Sequence, residues 1–277
     1  MPPAWSLTAS LAPDLPPVCR LGLATRGDAA LGPDDVHYAL SRGVNYLNWC
    51  GRPDGLSRAV RELDPAARAK LVLAAQLSAY GYDEMKREFE AAREALGVER
   101  LDVPTFYWME SREQWNELTG PRGGYRCLKE AQARGEVRLL GLTSHQRKLA
   151  AEIAAEGTID LLMIRYNAAH AGAEREIFPV AGERRIPVVA YTCLRWGALP
   201  RPTPDDPPGF APPPAPAWYR WALQHPGVAV AIMAPASRAE LDADLALLDD
   251  PQPLDPDAYE RLSAHGLRVR KHAGRFP

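Results

Sequence analysis

The stretch GVNYLNWCGRPDG, residues 43–55, places three chemically capable side chains at one point of the chain. Asn48 can donate and accept hydrogen bonds, Trp49 offers a flat aromatic face, and Cys50 carries a thiol. The apolar and β-favouring residues before them predict a strand, and the glycines and proline after them end any regular element. These groups therefore stand where a buried strand becomes a loop. A lone thiol with no histidine or lysine nearby in sequence is more often inert than reactive.

Further reactive or polar side chains come at the ends of other apolar runs. They are Gln76, Tyr107, Trp108, His145, Arg165 and Trp196. The Tyr107 phenol could give up a proton, and Arg165 could bind an anionic group or form a salt bridge with Glu174. The three indoles of Trp49, Trp108 and Trp196 indicate an aromatic-lined pocket, or else packing beneath loops. His145 could face that pocket or begin the next helix.

Eight β-like runs alternate with helical segments, and several are nearly continuous in apolar residues, as parallel strands buried on both faces are. The runs cover residues 18–25, 44–49, 70–77, 101–109, 137–144, 159–167, 186–194 and 227–234. Helices are predicted at residues 32–43, 82–97, 125–135, 145–157, 173–183, 215–227 and 237–248. This alternation predicts a single (β/α)8 TIM barrel over residues 1–277, whose strand ends meet on one catalytic face. An open doubly wound sheet is the alternative, but the GxGxxG expected after its first strand is absent from the sequence.

Three segments do not follow the alternation of strands and helices. Residues 1–17 predict an extended segment before the first barrel strand, and residues from about 255 to 272 predict a last helix packed on the outside. Residues 200–216 hold nine prolines and cannot form a helix. This proline-rich loop is either a stiff surface segment or a lid over the catalytic face.

Composition and charge argue against several classes of partner. A formal net charge of −2 gives no electrostatic reason to expect nucleic acid or an anionic membrane as partner. No apolar run approaches the roughly 18 residues of a membrane span, and the first residues do not read as a signal peptide. The four cysteines lack metal-ligand spacing, so we expect no metal and reduced thiols in a cytoplasmic protein.

An ordered series of segments resembles the aldo-keto reductase superfamily. They are LGLAT, GVNYLN, LGVERLDV, EAQARGEVRLLGLTS, RYNAAHAGAEREIFP, IPVVAYTCLRWGAL and AIMAPASRAELDADLALL. The chain looks most like divergent bacterial members with the RYNAAH…GAE variant. The resemblance implies a (β/α)8 barrel of the aldo-keto reductase type, a bound NADP(H), and hydride transfer between that cofactor and a carbonyl or alcohol.

The resemblance also implies a catalytic tetrad of Asp, Tyr, Lys and His, and all four positions are substituted. They fall on Asn48, Pro53, Gln76 and Tyr107 in that order. The family's proton relay needs a phenol tuned by the lysine, so it cannot operate with these residues. We expect Asn48 and Gln76 to form a neutral hydrogen bond instead of an ion pair, and Tyr107 or water to supply the proton.

The residues that hold the nicotinamide end in the family are partly retained. Thr143 and Ser144 stand where a Ser-Asn pair holds the nicotinamide amide, and Met163 replaces a glutamine that also contacts it. Tyr191 retains the aromatic ring that stacks on nicotinamide.

The phosphate and adenine ends are altered further. Thr192 and Leu194 match the stretch that approaches the pyrophosphate, and Ser237 and Arg238 begin a helix whose N-terminus favours anions. Asp244 takes the place of an adenine-binding asparagine, and an acid also stands at the usual arginine position. The cofactor is therefore expected to be NADP or NAD, or none.

Three functions remain open from the sequence. The first is an oxidoreductase with a remodelled site that acts on a bulky small-molecule carbonyl or alcohol, as a monomer or weak homo-oligomer. The second is a non-redox isomerase, cyclase or lyase on the same barrel, which works by positioning and polarisation. The third is a binding protein without turnover.

Overall fold

Eight parallel strands close into a barrel in this computed structural model, which describes residues 5–25, 31–272 and 274. In chain order the barrel strands are β3 (Leu21–Ala24), β4 (Tyr46–Trp49), β5 (Val72–Leu77), β6 (Val103–Phe106), β7 (Gly141–Ser144), β8 (Leu161–Arg165), β9 (Val188–Tyr191) and β10 (Val228–Met233). Neighbours in sequence pair in parallel, and β10 closes the ring on β3 with Ala231 opposite Leu21. The expected (β/α)8 fold is confirmed, because each strand lies within its predicted run.

The helices lie outside the barrel. They are α1 (Pro33–Ser41), α2 (Gly55–Glu62), α3 (Pro65–Arg68), α4 (Tyr82–Leu96), α5 (Arg112–Thr119), α6 (Gly124–Ala133), α7 (Arg147–Glu156), α8 (Ala173–Glu176), α9 (Phe178–Arg184), α10 (Ala215–Gln224), α11 (Arg238–Leu245) and α12 (Pro256–His272). The segment predicted as one helix at 173–183 is split into α8 and α9, and α2, α3 and α5 were not predicted. Both α2 and α5 begin with side-chain caps, since Asp54 accepts from the Ser57 amide and Ser111 from the Gln114 amide.

A short hairpin precedes the barrel and fills its N-terminal end. Its strands are β1 (Thr8–Ala9) and β2 (Val18–Cys19), which pair antiparallel. Leu11 and Leu15 of this hairpin are buried with the side chains of the barrel interior. Asn45 fixes the hairpin by accepting from the Cys19 amide at 2.8 Å and donating to the Pro17 carbonyl at 2.9 Å. Residues 1–4 of the predicted extension lie outside the described residues.

Alternation along the strands separates an inner from an outer apolar layer. Tyr46, Ala74, Met163 and Val189 belong to the inner layer, whereas the residues beside them pack outward against the helices. Gly22 makes room for the Tyr46 ring, since a Cβ there would lie 3.0 Å from Tyr46 Cδ1. Side chains therefore fill the barrel below its C-terminal end, and the open face is at that end.

The proline-rich loop 200–216 is fastened to α12. Asp206 accepts from the Arg268 guanidinium at 2.6 Å, and its Oδ1 lies 2.8 Å from Nδ1 of the fully buried His265. The other ring nitrogen of His265 lies 3.0 Å from the Leu199 carbonyl oxygen. Phe210 packs on the same histidine, with 5.1 Å between ring centroids. Buried polar contacts therefore hold the loop against the last helix.

In the part of the chain that the structure describes, no helix combines the length and apolar character needed to cross a bilayer.

Candidate active site

The C-terminal ends of β3–β10 form what we call the barrel mouth. The same alternation that fills the interior sends one more set of side chains inward at this end. Each of these residues lies two positions beyond an inner-layer residue or in register with one. They are Asn48, Gln76, Thr143, Arg165 and Tyr191. Five side chains predicted from the sequence are thereby brought to one face.

Asn48 is fully buried and contacts Cys50. Its Nδ2 donates to Cys50 Sγ at 3.7 Å, and its Oδ1 has no hydrogen-bond partner among the described residues. The expected hydrogen bond to Gln76 is therefore wrong, because the Asn48 amide group points toward the thiol on its own loop. Burial and the nearby Asp54 carboxylate raise the pKa of Cys50 to about 11, so this thiol is protonated at neutral pH.

Tyr107 follows β6 and is half-buried. Its ring meets the Trp108 ring edge-on, with 5.7 Å between centroids. Burial, and to a smaller extent the neighbouring Cys50, raises the pKa of the phenol. Tyr107 is therefore a weaker acid than a free tyrosine. Pro53, at the position of the family tyrosine, is exposed in the loop between β4 and α2.

Trp49 lies away from the mouth. It belongs to the outer apolar layer, is 5% exposed, and donates from Nε1 to the Arg52 carbonyl at 2.8 Å. Because Asn48 points inward, its neighbour in the strand must point outward. The structure therefore places Trp49 beneath the helices and not in the predicted pocket.

A cleft of about 650 Å³ opens beside the ends of β6, β7 and β8. We call it the mouth cleft, and it is lined by Trp108, Glu110, His145, Gln146, Arg147, Lys148, Arg165 and Glu176. The Trp108 side chain is 47% exposed and forms one wall. The cleft thus combines an aromatic surface with three cationic and two acidic side chains.

Glu110 and His145 form a paired group in the mouth cleft. Glu110 Oε1 accepts from the His145 amide at 2.7 Å and lies 3.2 Å from His145 Nδ1. The second oxygen, Oε2, accepts from Gln146 Nε2 at 3.2 Å. The imidazole meets the rings of Trp108 and Tyr191 edge-on, at centroid distances of 5.2 and 5.9 Å. His145 therefore faces the cleft, and α7 begins two residues later.

Arg165 ends β8 beside a second cluster of charges. Arg147 forms an ion pair with Glu176 across the cleft. Burial, together with the Arg147 charge, lowers the pKa of Arg165. The same cations, after burial, lower the pKa of the nearby His170 to about 4, so that histidine is neutral at physiological pH. This side of the mouth is electropositive and suits an anionic or electron-rich group.

The residues expected to hold nicotinamide lie together on β7, β8 and β9. The Thr143 hydroxyl oxygen accepts from the Trp108 amide at 2.8 Å and remains able to donate. Ser144 accepts from the Gln146 amide at 2.9 Å, in the turn that precedes α7. Met163 lies deeper, within the barrel interior. Tyr191 remains at the mouth, and burial raises the pKa of its phenol.

The loop after β9 has strained backbone at the mouth. Thr192 has φ 54°, an unusual value for a β-branched residue, and its buried Oγ1 has no partner among the described residues. Leu194 packs against the outer apolar layer. Trp196, with φ 53°, is 49% exposed. The Arg195 guanidinium lies 5.5 Å from its ring centroid.

The predicted phosphate and adenine residues are engaged with other protein groups. Ser237 caps α11 by accepting from the Glu240 amide. Arg238 lies 3.8 Å from the Tyr38 ring centroid and pairs with Asp242 at 3.1 Å. Asp244 is buried and accepts from the Tyr219 phenol at 3.2 Å.

Arg238 also pairs with Asp35 at 3.4 Å, and α11 carries Glu240 in its first turn. Two carboxylates therefore pair with the one arginine that was expected to meet a 2′-phosphate, and a third begins the same helix.

Glu110, Arg147 and Glu176 of the mouth cleft were missed from the sequence. Glu110 follows the predicted strand 101–109 by one residue, and a carboxylate at a strand end of a barrel was the available signal. Arg147 and Glu176 lie in helices, so no strand-end pattern marks them. Among residues 5–25, 31–272 and 274, no group of three or more His, Cys, Asp or Glu side chains could hold a metal ion.

Comparison with known proteins supports the family assignment. The aldo/keto reductase family model matches residues 28–214, and the chain therefore belongs to the aldo/keto reductase family. The aldo-keto reductase AKR11C1 from Bacillus halodurans has the same fold. Its holo form superposes with a TM-score of 0.74 at 16% identity, over 93% of this chain and 95% of that one. The apo form gives 0.73 at 18% identity, over the same shares of the two chains.

One curated relative is similar over part of the sequence. Pyridoxal 4-dehydrogenase from Microbacterium luteolum is 27% identical over 132 residues, which are 44% of this chain and 38% of the relative. The matched region thus spans less than two fifths of that relative's length.

Proposed function

We propose that this protein is a nicotinamide-dinucleotide-linked oxidoreductase that acts on a bulky, aromatic carbonyl or alcohol. The observation that supports it most is the arrangement of Thr143, Tyr191 and Thr192 at adjacent strand ends. A ring, a hydroxyl that can still donate, and a buried hydroxyl without a partner among the described residues together suit a nicotinamide and its phosphate. When bound, the cofactor would supply or accept the hydride.

The residues at the other end favour NAD over NADP. Arg238 is paired with Asp35 and Asp242, and a 2′-phosphate placed there would meet like charge. A ribose hydroxyl, in contrast, could donate to any of these carboxylates. We therefore assign NAD as the preferred cofactor.

The substrate class follows from the mouth cleft. Trp108 presents an exposed indole face, and Arg165 lies at the inner side, so the cleft suits a flat ring that carries an electron-rich substituent. The partial similarity to a dehydrogenase of pyridoxal, a substituted aromatic aldehyde, is consistent with this class. Pyridoxal is accordingly a rational first substrate to test.

The four tetrad-equivalent positions carry Asn48, Pro53, Gln76 and Tyr107, so the reaction proceeds without the family's proton relay. Asn48 Oδ1 is buried and has no partner in the part of the chain that the structure describes, so it can accept a hydrogen bond from an alcohol substrate or an amide. Activity on small aliphatic aldehydes is expected to be very low. The site lacks the tuned phenol, and such substrates have no aromatic ring for the mouth cleft to hold.

Titration with NADH and NADPH, followed by cofactor fluorescence and melting temperature, tests the proposal. A ligand that binds only the folded state raises the melting temperature by an amount that grows with the ratio of its concentration to its Kd. We expect NADH to bind more tightly than NADPH, Tyr191→Leu to weaken binding, and Tyr191→Phe to preserve it. The absence of binding at millimolar cofactor would contradict the proposal and favour the non-redox alternative, which the substituted tetrad positions also suit.

A further inference from the structure

Glu110 fixes both the orientation and the proton position of His145. The carboxylate oxygen that lies 3.2 Å from Nδ1 also accepts from the His145 backbone amide at 2.7 Å, so it cannot turn away without losing both contacts. A carboxylate at Nδ1 accepts a hydrogen bond from it and so places the ring proton there in the neutral form. The other nitrogen, Nε2, is then the one available to the mouth cleft, which His145 lines.

The ring is also at the right place for proton transfer. Its centroid lies 5.9 Å from that of Tyr191, the ring expected to stack on nicotinamide, and 5.2 Å from that of Trp108, the wall of the substrate cleft. His145 therefore contacts both the side chain expected to stack on nicotinamide and the side chain that forms the cleft wall. Tyr107, by comparison, has no hydrogen-bond partner that would orient its phenol among the described residues.

We propose that His145, positioned by Glu110, is the acid that protonates the substrate oxygen during carbonyl reduction. This inference rests on the proposed function. The carbonyl carbon receives the hydride of the reduced nicotinamide, the electron pair of the C=O bond moves to oxygen, and His145 Nε2 gives its proton to that oxygen. The products are the alcohol, oxidised nicotinamide and a neutral His145, which takes a proton from solvent through the open cleft. In the oxidation direction Nε2 accepts the alcohol proton.

Kinetics with NADH and two probe substrates, pyridoxal and 4-nitrobenzaldehyde, give the first test. We expect His145→Asn to lower kcat by about 100-fold or more, the usual contribution of a general acid, with KM and NADH affinity within about threefold. The surface control His37→Asn should retain kcat within about threefold. Glu110→Gln should keep NADH binding and lower kcat, because the carboxylate that orients the His145 ring is lost. An unchanged kcat in Glu110→Gln, or a greater loss in Tyr107→Phe than in His145→Asn, would overturn the assignment.

A second measurement needs no turnover. In protein labelled with 15N-histidine, the His145 signals are identified by their loss in His145→Asn. In the neutral ring, the wild type should carry its proton on Nδ1, and Glu110→Ala should shift the population toward the Nε2 tautomer. Equal tautomer populations in the wild type would refute the positioning role of Glu110 while leaving the oxidoreductase proposal intact. Failure to bind NADH, or NADH binding without reduction of either aldehyde, would instead refute the proposed function and this inference with it.

Discussion

The backbone amide of Trp108 donates a 2.8 Å hydrogen bond to the side-chain oxygen of Thr143. This contact joins the loop after β6 to the end of β7. Trp108 has φ 59°, a left-handed value that costs a non-glycine residue on the order of 1 kcal/mol or more. The hydroxyl of a neighbouring strand thus helps to hold the exposed indole in a conformation that it would not adopt on its own.

Thr143→Val should release this loop. Valine has the same shape but no acceptor, so we expect a loss of about 1–2 kcal/mol in the free energy of unfolding, measured by urea denaturation. The indole should also become more mobile, which lowers tryptophan fluorescence anisotropy. Thr143→Ser keeps the oxygen and serves as the control. Equal stability of the valine and serine variants would show that the contact does not hold the loop.

Asp244 should make stability depend on pH in the direction opposite to a salt-bridged carboxylate. Burial, with a smaller contribution from Glu240, raises the pKa of Asp244 to about 7 despite the hydrogen bond from Tyr219. Between roughly pH 4 and 7 the folded chain therefore binds a proton that the unfolded chain does not. The free energy of unfolding should fall as the pH rises through this window and level off above it.

Asp244→Asn removes this loss of stability at high pH, since the amide remains neutral and its oxygen can still accept from Tyr219. At pH 8 we expect the variant to exceed the wild type by on the order of 2–4 kcal/mol, with little difference at pH 4. Denaturation at both pH values measures the effect, and Asp242→Asn on the exposed side of α11 is the control. A constant difference across the pH range would mean that Asp244 does not titrate between these values.

Asp206→Asn should loosen the proline-rich loop. Burial acts to raise the pKa of Asp206, but hydrogen bonds from the Thr203 amide, His265 and Arg268 outweigh it and hold the pKa well below its usual range. The carboxylate therefore stabilises the fold above about pH 4, and this contribution declines as the pH falls further. At pH 7 we expect chymotrypsin to cut after Phe210 roughly five to thirty times faster in the variant than in the wild type.

Asp205→Asn is the matched control for this loop. Asp205 is exposed and pairs with Lys271 at 2.6 Å and with His272 at 2.8 Å, and surface pairs contribute little. Its cleavage rate should stay close to that of the wild type. If the two variants are cut equally fast, the buried contact to His265 does not fasten the loop.

Gly266→Ala should damage the packing of α12. A Cβ at this position would lie 2.3 Å from the backbone carbon and oxygen of Ala168, and backbone cannot move aside as a flexible side chain can. We expect a loss of about 3 kcal/mol or more in the free energy of unfolding. For Gly182→Ala in α9, no atom of the described residues outside the neighbouring helix backbone lies within 4 Å of the new Cβ, and the variant should gain up to about 1 kcal/mol from helix propensity. Similar results for the two alanines would place α12 farther from the barrel than the structure has it.

The barrel strands could be predicted because burial on both faces leaves continuous apolar runs, such as 70–77 around β5. The helices α2 and α5 were missed because each is eight residues long and follows an irregular segment, so too few turns are available for a periodic pattern. Their start signals are the single capping residues Asp54 and Ser111, which the pattern of apolar strands does not indicate.

The site could be predicted only as far as strand position determines it. Alternation from a known inner residue would have placed Asn48 inward and Trp49 outward, but the inner residues are not known before the barrel closes. The direction of the Asn48 amide group toward Cys50 depends on how the loop turns after β4. Likewise, the pairing of Glu110 with His145 joins two loops 35 positions apart, which neither segment indicates alone.

The hairpin of residues 8–19 limits how small molecules can enter and leave the barrel. Since Leu11 and Leu15 close the bottom of the barrel, molecules that enter between the strand ends must leave by the same route. The open end of the barrel is thus the single point of exchange with solvent for anything held at the strand ends of the described residues.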